Sequence, residues 1–189
     1  MKHLEIEMKT LLNQDEYKKL QTHFSGVTPI TQKNYYLDTP DFYLRKHKIA
    51  MRIRTFENSA ELTIKIPQKV GNMEYNQDLS LEEANHCLKE CKLPQGMISD
   101  ELTSRGLSTS GWVVLGCLTT VRYEKETPIG LMALDQSEYF DIVDYELELE
   151  VEDGKQGSLD FQEFLQVNEI HYKKAPSKLV RFIEKMKKY

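Results

Sequence analysis

The stretch "YELELEV", residues 145–151, decides how the chain folds. Glu146, Glu148 and Glu150 alternate with Leu147, Leu149 and Val151. The period is two, so a strand puts three carboxylates on one face and the apolar residues on the other. "HLEIEMKT" (3–10) has the same form, with Glu5, Glu7 and Lys9 against Leu4, Ile6 and Met8. "AMRIR" (50–54) sets Arg52 and Arg54 opposite Met51 and Ile53, and "LTIKI" (62–66) sets Lys65 opposite Ile64 and Ile66. An antiparallel sheet with one wet face alternates like this, but its solvent face usually mixes the two signs. Here the signs are sorted, and like charges side by side destabilise a sheet unless a counter-charge lies between them. Convergent carboxylates suit a hard cation with oxygen ligands. Converging Arg and Lys suit phosphate. Both sets around one cavity imply a metal–polyphosphate guest. The arrangement that permits this is a closed barrel, charged rows inward and apolar rows outward beneath helices.

Composition sets the outer bounds. The chain has 189 residues, which fits one domain, 1–189; 40% are hydrophobic and 29% charged, as in ordinary globular proteins. A formal net charge of −5 argues against general nucleic-acid binding, because phosphate backbones attract basic surfaces. Glu5 arrives before any apolar run can form, and no stretch is as apolar as a membrane span, so the expected location is the cytoplasm. Cys87, Cys91 and Cys117 form no CxxC pair and read as thiols of a reducing compartment; the five histidines show no ligand spacing.

Strands are expected at 3–10, 49–56, 60–68, 71–80, 112–126, 129–140 and 144–153, and the segment 31–44 reads as a strand running into a Pro-containing turn. Helices are expected at 13–24, capped by Asn13 with Glu16 at capping-box spacing, and in the middle of the chain on either side of a break at 93–96. Further helices are expected at 160–170, behind a Gly-rich loop, and at 177–189 after Ser177. The last of these is basic and amphipathic and reads as a helix docking Leu179, Phe182, Ile183 and Met186. "DTPD" (38–41) reads as turn chemistry. The class is α+β. Lys33 and Tyr35 are further candidates for the inward face.

These segments resemble the CYTH superfamily, the triphosphate tunnel metalloenzymes. "EIEMK" is similar to the family's ExExK signature. "YYLDTPDFYL", "AMRIR", "LTIKIP", "LTTVRYE", "MALDQ", "YELELEV" and "APSKL" follow in the family's order, from Glu5 to Lys178. The layout is most like the small bacterial single-domain members. The resemblance implies a closed eight-stranded antiparallel barrel, a tunnel with a polar lumen, flanked by helices. It implies that Glu5, Glu7, Asp135, Glu146, Glu148 and Glu150 hold Mg²⁺ or Mn²⁺, and that Lys9, Arg52, Arg54, Lys65, Arg122 and Lys178 hold triphosphate oxygens. Glu5, Glu7, Lys9 and Asp135 would carry the catalysis. Glu74 falls at a family acidic position, but Asn72 and Met73 stand where the family often has an Arg.

The activity so implied is metal-dependent hydrolysis of the terminal phosphate of a triphosphate. Inorganic triphosphate comes first, because no base-reading or thiazole-stacking pocket is recognisable. Thiamine triphosphatase, a class IV type of adenylate cyclase acting on ATP, and a non-catalytic nucleotide- or polyphosphate-binding module remain as alternatives. The partner is a small molecule rather than nucleic acid or membrane, and a homodimer is compatible with the sequence.

Overall fold

The alternating segments form eight strands. In chain order they are β1 (Lys2–Leu12), β2 (Ile30–Asp38), β3 (Ala50–Thr55), β4 (Ala60–Pro67), β5 (Asn72–Leu79), β6 (Val113–Thr127), β7 (Gly130–Tyr139) and β8 (Ile142–Val151). The computed structural model describes residues 1–187. The strands close into a barrel in the order β1-β5-β4-β3-β2-β6-β7-β8. The helices are α1 (Gln14–Gln21), α2 (Tyr43–Lys46), α3 (Leu81–Glu90), α4 (Met97–Ser104), α5 (Gly154–Val167) and α6 (Lys178–Met186). Contacts divide the chain into two compact units: Met1–Leu4 with Gln32–Leu118, and Glu5–Thr31 with the chain from Thr119 onward.

In the first unit, Met51, Ile53, Leu62, Ile64 and Ile66 form a core with Ala84 and Cys87 of α3 and Ile98 and Leu102 of α4. Trp112 belongs to this core. In the second, Met132, Leu134, Leu147 and Leu149 pack with Tyr17 and Leu20 of α1 and Phe161 and Leu165 of α5. The apolar rows therefore look outward under helices in both units, which leaves the charged rows on the inner face. On β8 both rows are buried from Tyr145's neighbour Glu146 to Leu149, so the carboxylates are not a solvent face.

Local chemistry explains the helix ends. Asn13 and Glu16 form the expected capping box, and α1 passes into a 3-10 turn that carries Phe24. Two helices depart from expectation. The strand gives way at Asp38 to the expected turn, but the Asp38 carboxylate accepts the amides of Thr39 at 2.7 Å, Leu44 at 2.9 Å and Arg45 at 3.1 Å and so nucleates α2, a short helix that was not expected. Helix α5 begins at Gly154 instead of after a Gly-rich loop, capped by Asp153. Gly157 there is a packing residue: a Cβ would meet the Val151 side chain at 2.6 Å. Helix α6 buries Phe182 and Ile183 as expected, with Leu179 and Met186 half-buried; residues 188 and 189 of the expected helix lie outside the described residues.

Candidate active site

The second unit gathers the acidic row. Residues two apart share a strand face, so Glu146 and Glu148 of β8 point the same way. Register then places Asp135 of β7 opposite Glu146, Arg122 of β6 opposite Asp135, and Lys9 of β1 opposite Glu148. Asp135 and Glu146 are fully buried and Glu148 is nearly so. One oxygen from each lies within 4.8 Å of the others. Lys178, the first residue of α6, lays its ammonium among them, 2.8 Å from Asp135, 2.5 Å from Glu146 and 2.7 Å from Glu148. Arg122 binds Asp135 in bidentate fashion, at 2.8 and 2.7 Å, and also pairs with Glu148.

Burial and charge pull these groups apart electrostatically. Burial raises the Glu146 carboxyl to about 7; adjoining Glu148 adds to this while Lys178 opposes it. Burial works the same way on Glu148 and Asp135, but there Lys178 and Arg122 prevail and hold both below the carboxylate range. Burial disfavours the charge on Lys178, yet the three carboxylates lift its pKa far above the usual lysine value. Buried ion networks contribute little net stability, because desolvation offsets their attraction. The trio is thus a site built to hold positive charge. Its donors are all hard carboxylate oxygens, and a divalent cation with oxygen ligands fits them.

Glu5, Glu7 and Glu150 are not in the trio but share the inner face. Register sets Glu7 directly opposite Glu150, beside the Lys9–Glu148 pair. Glu7 is bound by Lys9 at 2.6 Å. Burial disfavours the charge on Lys9, but Glu7 and Glu148 outweigh it and raise its pKa. Glu5, two residues from Glu7, falls on the same face and is buried.

The first unit gathers the basic row. Arg54 donates from Nε to Asn34 at 2.9 Å and pairs with Glu61 at 3.3 Å. Lys65 pairs with Glu74 at 2.7 Å, and Asn76 donates to the same carboxylate at 2.7 Å. Among the described residues the buried Nε of Arg52 has no hydrogen-bond partner. Lys33 and Tyr35 do not belong here: Tyr35 is opposite Ile53 and Lys33 opposite Thr55, so both take the outer face, while Tyr36 and Asn34 face inward with Arg52 and Arg54. Sequence reasoning missed Asn34, which no charge or motif marked, and Arg181 and Asp144. The signal for Arg181 was available, since it lies one helical turn after Lys178 on the same face.

A closed barrel with an inward acidic trio and an inward basic row defines a recognised class. The chain belongs to the CYTH domain family, whose pattern matches residues 3–183. It is 35% identical, over 98% of this chain and 97% of the other, to a Bacillus subtilis (strain 168) protein named "Putative triphosphatase YjbK". A crystal structure of a Bacillus halodurans protein, named a "putative adenylate cyclase", superposes with a TM-score of 0.89 at 36% identity, covering 96% of this chain and 98% of that one. HpAC1 from Hippeastrum, covering 96% of each chain at 23% identity and a TM-score of 0.85, shares the fold. Among the described residues no helix is long and apolar enough to cross a membrane.

Proposed function

We propose that this chain hydrolyses the terminal phosphate of a triphosphate, inorganic triphosphate above all, with Mg²⁺ or Mn²⁺ as cofactor. The observation that carries this is the buried trio Asp135, Glu146 and Glu148 with an ammonium held among its oxygens. Those three residues hold the divalent cation, and Glu5, Glu7 and Glu150 contribute from the same face. When bound, the cation neutralises phosphate charge and polarises phosphoryl oxygens. Arg122, Lys178 and Lys9 hold and orient triphosphate oxygens, as do Arg52, Arg54 and Lys65. Arg52 supports this, because its buried Nε is a donor that a phosphate oxygen would satisfy. Glu74, paired with Lys65, orients that ammonium. Glu5, Glu7 and Asp135 position a water in line with the terminal phosphorus, and the cationic side chains take up the charge gathering on the leaving pyrophosphate. We take residues 1–189 as one functional domain, since the strand order runs through both units and the family match spans most of the chain. A cytoplasmic location is supported by three cysteines outside any disulfide.

A second reading, cyclisation of ATP, is favoured by the name of the Bacillus halodurans relative. One experiment separates the readings: incubation with inorganic triphosphate, thiamine triphosphate and ATP, each with Mg²⁺ or Mn²⁺, followed by product identification. Orthophosphate, formed fastest from inorganic triphosphate, is the expected result. Faster release from thiamine triphosphate would reassign the substrate. Cyclic AMP with pyrophosphate would establish the cyclase, and binding without turnover would make the chain a binding module.

A further inference from the structure

Arg181 has no role in the function proposed above, yet it is one of the most heavily bonded side chains of the second unit. It is 9% exposed. Its Nε donates to Asp144 at 3.0 Å and its Nη2 to the other Asp144 oxygen at 3.3 Å. Nη2 also pairs with Oε2 of Glu146, and Nη1 donates to the Pro176 carbonyl at 2.6 Å. Asp144 is fixed in turn by the Tyr139 hydroxyl at 2.7 Å. The two oxygens of Glu146 are therefore divided: Oε1 goes to Lys178 and Oε2 to Arg181. The same guanidinium holds the backbone two residues ahead of Lys178.

We propose that Arg181 is a positioning residue that sets Glu146 and the entry to α6 against each other, so that the carboxylate presents one defined oxygen to a bound cation. This rests on the functional reading above. The physical reason is the planar fork of arginine, which can bind two carboxylates and a carbonyl at once; a lysine ammonium keeps the charge and loses the fork. Partners that orient a metal-binding carboxylate typically matter by about 10–100-fold in affinity or activity.

Orientation and charge push in opposite directions, which makes the proposal testable. Arg181→Gln removes a cation beside the trio, and charge alone would tighten divalent-cation binding. Loss of orientation would weaken it. Mn²⁺ affinity is measured by titration calorimetry, without triphosphate, on the wild type, Arg181→Gln, Arg181→Lys and Phe182→Leu. Phe182 is a buried α6 neighbour in contact with Tyr139 and Phe140, and its variant controls for mere loosening of the helix. Both Arg181 variants are expected to bind Mn²⁺ about tenfold more weakly, while Phe182→Leu stays close to wild type. With inorganic triphosphate and Mg²⁺, kcat is expected to fall about tenfold in both Arg181 variants with little change in KM. Tighter or unchanged Mn²⁺ binding in Arg181→Gln overturns the proposal, as does wild-type behaviour of Arg181→Lys or an equal loss in Phe182→Leu. If the wild type turns over no triphosphate, the functional reading fails, and the Mn²⁺ titration alone still decides the role of Arg181.

Discussion

The inner faces of the two units use opposite electrostatic strategies. In the second, carboxylates predominate and are crossed by cations: Lys178 touches Asp135, Glu146 and Glu148, and Arg122 touches Asp135, Glu148 and, at 3.5 Å, Glu124. In the first, Arg52, Arg54 and Lys65 outnumber their carboxylate partners, and amides share the work: Arg54 binds Asn34 as well as Glu61, and Asn76 joins Lys65 on Glu74. Each carboxylate of the acidic trio has a cation partner within the chain. The basic face leaves Arg52 with a buried donor that no group among the described residues accepts. The acidic face is expensive to disturb; the basic face keeps a donor uncommitted.

The largest expected effect is therefore on the acidic face. Asp135→Ala strips the bidentate partner from buried Arg122 and removes one contact of Lys178. An uncompensated buried charge costs about 3–5 kcal/mol, which a urea titration should read as lost unfolding free energy, together with loss of triphosphate turnover. A cost below about 1 kcal/mol would mean the network is loose, and the contrast between the faces would fail. Glu7→Gln probes the rim of the same face. Its partner Lys9 is only half-buried, so the unfolding midpoint should hardly move. Turnover should fall about a hundredfold, the scale of removing one group that stabilises charge in the transition state. Full activity in that variant would sharply narrow the site to the trio.

How much of this was legible in the sequence follows from the same contrast. The sorted rows were readable because period-two alternation persists when both faces of a strand are buried for different reasons, as in β8. The capping box at Asn13 was readable because its geometry is local. The phase of β2 was not: "NYYLD" is buried on both faces without alternation, so only pairing with β3 shows that Tyr36, and not Tyr35, faces inward. Helix α5 was misplaced because Gly154 and Gly157 look like loop residues until Val151 is seen against Gly157. Arg181 could be suspected from its place one turn after Lys178, but its partners could not, because only tertiary structure brings Asp144 and Glu146 to it.

An acid titration sharpens the comparison on the basic face. Burial alone would raise the Glu74 carboxyl, but Lys65 and Arg52 outweigh it and bring its pKa down to about 2 from an ordinary 4.5. Because the folded value is the lower one, Glu74 contributes stability that is fully present above about pH 4.5 and is lost as pH falls toward 2. Unfolding free energies of the wild type and Glu74→Gln, from urea titrations, should differ by about 1–3 kcal/mol at pH 6, and the gap should close between pH 4.5 and 2. A gap independent of pH would mean Glu74 acts by packing instead of charge.

The smallest effect, and the most selective, belongs to Arg52→Gln. The Arg52 Nε has no hydrogen bond to lose among the described residues, so the cost at neutral pH should be about 1 kcal/mol or less, the share of the Glu74 stabilisation that Arg52 supplies. The guanidinium is nonetheless one of the charges holding Glu74 down, so the acid limb of the stability curve should move to higher pH. If Arg52 binds triphosphate equally in the ground and transition states, its loss raises KM about tenfold, near 1.4 kcal/mol, and spares kcat. A drop in kcat with unchanged KM would instead place Arg52 among groups that engage only the transition state, and the division between a cation-holding face and an anion-holding face would have to be redrawn.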